Sequence, residues 1–295
     1  MIVEDYCIIY NPISGNSKSY NLLHQFTHDL NKLNKSYKII KTEYIGHAKK
    51  LAINISQYKK LIVIGGDGTF HEIINGLMIN KKALPTLGFL PGGTGNAFMH
   101  DLCANSYKDA FRIIMNQRKK KLDILKLTYL EYTEYSFNIV GWGLVTDIGI
   151  LAEKIRFLGK HRYTIASILH IFMKKSRQAK VIIDGKERSG SFLFILNLNT
   201  KYTGTAMKAA PDAIFHDGLF EIIILNDNIS RLNLLALLPK IFTGDHIKSE
   251  YIEYIQAKEM SITPDIPGLL NVDGEVKCYT PINISILPNR INIFC

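Results

Sequence analysis

Cysteine is scarce and scattered in this 295-residue chain: Cys7, Cys103, Cys278 and Cys295 make neither a CxxC pair nor a CxxC–HxxxH set. Such spacing argues against a zinc site and a disulfide framework, and makes a reducing compartment the default. Long apolar runs are missing as well. No stretch of about 18 residues stays apolar and uncharged, so no bilayer-spanning helix is expected. The opening "MIVEDYCIIYNP" has early acids and no basic segment, so it does not read as a signal peptide, and Cys295 stands too late for a prenylation box. A cytoplasmic or peripheral-membrane location is expected, with export by a route that leaves no N-terminal mark left open. Walker A and GxGxxG patterns are both absent, which weakens the common NTPase and NAD readings. There is no internal repeat and no low-complexity tract. Acid is the minority charge, with 26 Asp+Glu against 36 Lys+Arg and a net charge of +10. This balance favours anionic partners such as phosphate ligands or acidic membrane surfaces. The excess is partly local, in "RKKK" (118–121) and "KKSRQAK" (174–180), whose bland reading is a solvated face. No nucleic-acid partner is expected, because charge alone suggests one and no reader motif accompanies it.

What is present has two textures. Through residue 124, apolar strand candidates alternate with helical segments: "YCIIYNP", "YKIIKTEY", "KLIVIGG" and "TLGFLPGG" against "SKSYNLLHQFTHDLNKL", "AKKLAINISQ", "FHEIINGLMI" and "GNAFMHDLC". Such alternation predicts an α/β domain with a doubly wound parallel sheet. From 125 to 295, short strand candidates dominate, interrupted by helical stretches at roughly 148–175 and 229–242. A second, mostly antiparallel β-rich domain is predicted there, its last strand free to return to the first. With 47% hydrophobic and 21% charged residues, both parts are ordinary for globular domains.

Turns that leave the carboxyl ends of strands in a doubly wound sheet share one edge, where ligands collect. Three such turns bear glycine here: "NPISG" (11–15), "GGDGT" (65–69) and "PGGTGN" (91–96). Glycine admits positive φ and close backbone approach, and the amides and helix N-termini that follow suit phosphate. One such turn is weak evidence, since a tight strand-to-helix turn needs glycine anyway. Three on one edge favour a phosphate cradle.

These turns, extended as "GGDGTFHEIINGL" and "LPGGTGNAF", resemble the diacylglycerol-kinase-type catalytic domain shared by sphingosine kinases, ceramide kinases and small bacterial lipid kinases. "TEYIGHAKKLA" (42–52) is similar to the family's Thr-x-x-x-Gly-His-Ala segment, and "NVDGE" (271–275) to its late acidic motif. The motifs occur in order over nearly the whole chain. The resemblance implies a nucleotide-binding α/β domain and a β-rich lipid-binding domain, with ATP and Mg2+ in the cleft between them and a lipid as acceptor. By position it puts ATP at Asn11, Pro12, Ser14, Gly15, Thr42, Gly65, Gly66, Asp67, Gly68, Thr69, His71, Gly92, Gly93, Thr94 and Asn96. Glu72 is a candidate nucleotide-positioning acid, or simply a first-turn acid that complements a helix dipole. The late motif adds Asp273, Gly274 and Glu275.

Phosphoryl transfer to a hydroxyl calls for charge neutralisation, alignment and an acid near the attacking oxygen. The resemblance offers two candidates for the base, Asp67 as in the sphingosine-kinase branch and Glu275 as in the bacterial branch. Asp67 is placed first, with Asp273 and Glu275 as metal- or proton-handling partners; on the residues alone, "VDGE" is equally a hairpin turn. In "APDAIFHDGLFEIIIL" (210–225) the resemblance implies a structural magnesium on Asp217 and the backbone of Ile214 and Leu219, and Asp-Gly is again a turn pair. "GWGLVTDIGILAEKIRFLGKHRYTI" (141–165) is similar to the sphingosine-kinase branch, which implies a sphingoid head group on Asp147 and nucleotide phosphates on Arg156 and Arg162. A carboxylate about 4 Å from a cationic amine gains roughly 4 kcal/mol at an effective dielectric near 20, before desolvation. Asp147 also stands where an N-cap would precede a helix. A sphingoid base is therefore the expected acceptor, diacylglycerol, ceramide or another neutral lipid the alternative, and an NAD-kinase-like enzyme a remote one. The helices near 163–173 and 229–242 are expected to close an apolar acyl pocket or to pack as core, and peripheral contact with an anionic membrane is expected.

Overall fold

The computed structural model describes residues 5–15, 17–80, 84–204 and 206–295, with the backbone alone at 156, 159 and 160. Two compact units emerge. The first comprises Met1–Ile124, Gly204–Ala206 and Pro288–Cys295, and the second Leu125–Thr203 and Met207–Leu287.

In the first unit strands and helices alternate as β1 (Tyr6–Tyr10), α1 (Lys18–Lys32), β2 (Tyr37–Lys41), α2 (His47–Ile53), β3 (Lys60–Gly65), α3 (Asp67–Ile79), β4 (Thr86–Pro91), α4 (Ala97–Asp101) and α5 (Tyr107–Asn116). The strands lie parallel in the order β2–β1–β3–β4. The inner runs YCIIY, KLIVIG and TLGFLP are buried along nearly their whole length, as strands covered on both faces must be. Leu22, Leu23, Phe26 and Leu30 form the buried face of α1, spaced for helical packing. Strand order reverses between β1 and β3, so the "NPISG" and "GGDGT" turns flank the switch point.

Helix α3 begins at Asp67, with Gly66 as its extended N-cap. The turn predicted through Thr69 is therefore shorter, and Asp67, Gly68 and Thr69 already form the first helical turn. An acid there complements the positive end of the helix dipole.

The second unit holds β5 (Lys119–Tyr129), which enters from the first, then β6 (Tyr132–Ser136), β7 (Ile139–Gly143), α6 (Leu144–Lys154), a 3-10 segment (Arg156–His161), α7 (Arg162–Met173), β8 (Arg177–Ile183), β9 (Lys186–Leu198) and β10 (Phe220–Asn226). After these come α8 (Arg231–Leu237), α9 (Lys240–Thr243), β11 (Ile252–Ala257), β12 (Glu259–Pro264), β13 (Leu269–Val272), β14 (Glu275–Tyr279) and β15 (Ile282–Phe294). Antiparallel pairing runs β14–β13–β7–β9–β8–β12–β15, with β10 between β9 and β11. The tail of β15 belongs to the first unit, where Ile293 pairs with Leu87 of β4. Trp142, Phe220 and Met260 lie in one buried cluster of the second unit, and Ile171, Leu234 and Leu237 in another.

The helical stretch expected at 148–175 consists of α6, which begins at Leu144, a 3-10 segment and α7, and that at 229–242 is broken at Pro239, whose ring cannot continue a hydrogen-bonded turn. Nor are these helices plain core. Of the twelve residues in α7, only Ala166 and Ile171 are buried.

Candidate functional site

The three glycine turns pack on one another through bare backbone. Gly15 has φ +59, and a Cβ there would collide with the Gly92 carbonyl. At Gly93 a Cβ would lie 2.5 Å from Gly66 Cα, closer than real side chains tolerate. Glycine is thus required for the turns to meet, before any ligand is considered. Hydrogen bonds fix the same arrangement. Gly92 N donates to Gly65 O at 2.8 Å, and Asn11 Nδ2 to Thr69 Oγ1 at 3.1 Å. Asn96 clamps its own turn, accepting from Gly93 N at Oδ1 and donating to Gly93 O, both at 2.8 Å. Asp67 Oδ2 accepts from Ala97 N at 3.2 Å, tying the first turn of α3 to the start of α4. A Cβ at Gly95 would lie 3.0 Å from that oxygen.

Beside this edge lies a cavity of 170 Å³ lined by Asn11, Pro12, Thr42, Thr69 and Glu72 from the predicted set, and also by Ile13, Glu43, Tyr44, Ile45 and Ala48. Ile13 and Ile45 are 80% and 95% exposed, an apolar rim that suits a flat heteroaromatic ring. Glu43, Tyr44, Ile45 and Ala48 were not singled out although they lie within the matched "TEYIGHAKKLA", because which residues of a matched segment face a cavity is not written in a sequence.

Glu72 has a specific task. Its Oε1 accepts from Gly46 N at 2.8 Å and its Oε2 from Ala48 N at 3.1 Å, so it caps α2 and holds the far wall of the cavity. Glu72→Ala is expected to raise the KM for ATP about tenfold with kcat within about twofold, the signature of lost uniform binding. Initial-rate kinetics at saturating lipid measure this. His71, expected with the nucleotide, is 2% exposed and lies beside Asn75, its ring nitrogen 3.1 Å from Asn75 Nδ2. The early start of α3 puts it one turn in, on the buried face. Ser14 and Thr94 stand on the turns, Thr94 exposed, and Gly68 lies in the first turn of α3.

In the second unit the late motif forms the β13–β14 hairpin. Asp273 and Gly274 both have positive φ, +51 and +93, as a tight hairpin turn demands. The Asp273 side chain is buried and accepts from Ser136 Oγ at 2.7 Å and from the amides of Phe137, Asn138 and Ile139 at 3.2, 3.0 and 3.0 Å. Four donors make it an anchor of the hairpin, a poor arrangement for the proton-handling role expected of it. Glu275 is exposed, and its Oε2 accepts from Lys277 Nζ at 3.1 Å, as Glu134 Oε1 does at 3.0 Å. Burial pulls the Lys277 pKa down, but Glu275 and Glu134 outweigh it and hold the ammonium above its ordinary value.

Asp147 sits in the first turn of α6, whose N-cap is Gly143, so it is not the cap that the sequence suggested. Both of its oxygens accept from Arg177 Nη2, at 2.8 and 2.6 Å, and each side chain is about one-fifth exposed. Arg162 pairs with Glu153 at 3.2 Å and lies over the Tyr163 ring. The side chain of Arg156 lies outside the described residues. Asp217 Oδ1 accepts from Leu219 N at 3.0 Å, and the Ile214 carbonyl accepts from His216 N at 2.7 Å, the pattern of a local turn. Among the described residues no group of three or more His, Cys, Asp or Glu could hold a metal. A single carboxylate, such as that of Asp67 or Glu275, would fit the usual Mg2+ arrangement, in which one or two carboxylates share the ion with substrate phosphates.

A parallel-sheet edge of three interlocked glycine turns beside one acid suits the binding of a phosphate-bearing substrate. Family models agree: the Diacylglycerol kinase catalytic domain matches residues 5–127, and the YegS C-terminal NAD kinase beta sandwich-like domain matches 138–295. The chain is 30% identical to a diacylglycerol kinase of Staphylococcus carnosus (strain TM300), over 97% of this chain and 94% of that one. It is 25% identical to sphingosine kinase 1 of Arabidopsis thaliana, over 91% of this chain and 67% of that one. A crystal structure of a proposed diacylglycerol kinase from Bacillus anthracis str. Sterne superposes with a TM-score of 0.83 at 25% identity, covering 100% of this chain and 98% of that one. This chain belongs to the diacylglycerol kinase catalytic domain family and is a lipid kinase.

Proposed function

We propose that the chain transfers the γ-phosphoryl group of ATP to the hydroxyl of a lipid with an uncharged head group, of the diacylglycerol kind. The observation that carries the choice of lipid is the Asp147–Arg177 pair. A sphingoid amine would seek Asp147 as its counter-charge, yet Arg177 already supplies one in a partly desolvated setting. Displacing it would forfeit an interaction of the same order, roughly 4 kcal/mol or more at an effective dielectric near 20. An uncharged head group needs no such exchange and can accept or donate hydrogen bonds around the pair.

Phosphate binding falls to the glycine turns, whose interlocked backbone supports a preorganised anion site at the start of α3. ATP supplies the phosphoryl group, and Mg2+, held by Asp67 with the phosphates, would neutralise its charge. Asp67 takes the proton of the lipid hydroxyl as that oxygen bonds to the γ-phosphorus and the bond to the leaving ADP oxygen breaks. Glu275 is the alternative base. A second reading, with a sphingoid base as acceptor, is favoured by the 141–165 segment and its likeness to sphingosine kinases.

Labelled ATP with diacylglycerol, ceramide, sphingosine and NAD as acceptors tests both readings. Diacylglycerol is expected to be labelled fastest, and Arg177→Gln to raise the sphingosine-to-diacylglycerol ratio about tenfold by exposing the Asp147 charge. Labelling of sphingosine alone by the unaltered protein would overturn the uncharged-acceptor reading.

A further inference from the structure

Strand β6 grips the β13–β14 hairpin at two points. Ser136 Oγ donates to Asp273 Oδ1 at 2.7 Å at the turn, and beyond it Lys277 Nζ donates to Glu134 Oε1 at 3.0 Å. Glu275 lies between these two points. On β14 it shares a face with Lys277, since side chains two apart on a strand point the same way. Its Oε2 accepts from the same Nζ at 3.1 Å. Ladder pairing holds from Val272–Glu275 to Leu270–Lys277 and then shifts, with Cys278 at φ +59 where the register slips. Bulges of this kind are over-represented beside functional sites, where they re-aim a side chain or end a pairing.

The three side chains differ in their access to water: Glu134 is 16% exposed, Lys277 27% and Glu275 47%. Glu134 cannot surrender its cation without leaving a charge uncompensated in a largely desolvated place, so the ammonium stays with it. Glu275 can move. Were the ammonium absent, two carboxylates would face each other, and repulsion would turn the more exposed one out into water. We infer that Lys277 is a positioning residue for phosphoryl transfer: seated on Glu134, it holds the Glu275 carboxylate by Oε2 and leaves Oε1 to meet a proton or a metal ion. An ion pair serving stability alone would contribute little at the exposure of Glu275. The inference rests on Glu275 taking part in the proposed reaction, beside Asp67 or in its place.

Lys277→Met in the full chain is expected to lower kcat on the lipid acceptor about tenfold with the KM for ATP within about twofold, because a displaced carboxylate is missed in the transition state rather than in nucleotide binding. Adding Glu134→Gln removes the repulsion and is expected to recover most of that loss. In a Glu275→Gln background Lys277→Met is expected to cost less than about twofold more, since the group it positions no longer acts. Lys277→Gln, which keeps a donor for Glu134, repeats the test should the methionine variant unfold. The contact is also read without catalysis, by NMR of isotope-labelled lysine ammonium groups: the Lys277 signal is expected to move in Glu275→Gln. An unmoved signal overturns the inference. So does normal turnover by a folded Lys277→Met protein, or the same fold-loss with and without Glu275, which is what a purely structural ion pair would give; in both cases labelling of lipid by the unaltered protein leaves the proposed reaction standing. A signal that moves in a protein that labels none of the four acceptors would instead sink the proposed reaction, and the positioning role with it.

Discussion

Asp67→Asn is expected to lower kcat by about 10²- to 10⁴-fold while ATP still binds, the range that loss of a general base commonly produces. The variant isolates chemistry from structure. Asp67 Oδ2 accepts from Ala97 N, and an asparagine oxygen can accept that same bond, so the junction of α3 and α4 keeps its geometry. What disappears is the charge and the proton affinity. A pre-steady-state burst measurement with equilibrium ATP binding checks it, and the same pair of measurements on Glu275→Gln gives the comparison. Should Asp67→Asn turn over at close to the normal rate and Glu275→Gln fail, the base is on the β13–β14 hairpin. Loss in both, with ATP bound in both, would divide metal handling from proton removal between the two acids.

Asp273→Ala is expected to cost about 3–5 kcal/mol of folding stability, because three buried backbone amides and the Ser136 hydroxyl lose a charged acceptor together. Hydrogen bonds to a charged group are individually worth about 1.5–3 kcal/mol, and neighbours sharing one acceptor do not add fully. Asp273→Asn should cost less. Its oxygen can still serve Ser136, Asn138 and Ile139, but its amide would face the Phe137 N–H as a second donor. Denaturant titration of the three proteins gives the order Asp, Asn, Ala. An Asp273→Ala protein as stable as its parent but inactive would return this residue to the chemistry.

Much of the fold was legible because it is written in local pattern. The strands of the first unit are unbroken apolar runs, and the three turns announce themselves by glycine. The Asp-Gly pair at 273–274 has the positive φ angles its chemistry suits. Contacts between residues far apart in the chain were not legible. Asp147 and Arg177 are thirty residues apart, Glu72 lies 26 from Gly46, and Asp273 more than 130 from the amides it holds. No periodicity encodes such pairings, which arise only when the sheet brings the elements together. Helix phase explains His71, since a start at Asp67 rather than Phe70 turns that ring inward. In α7 the 3.6-residue stripe was visible, but a stripe tells that one face is apolar and not whether protein or solvent lies against it.

The interlocked glycines have a consequence for how this site can change over generations. The space that a side chain at Gly15 or Gly93 would fill is taken by the backbone of another turn. Alteration at one position therefore displaces its neighbours, and a second alteration then meets a gap already opened. Losses will combine by much less than their sum. A lineage cannot retire one turn while keeping the other two in working order, so the edge is inherited whole or abandoned whole.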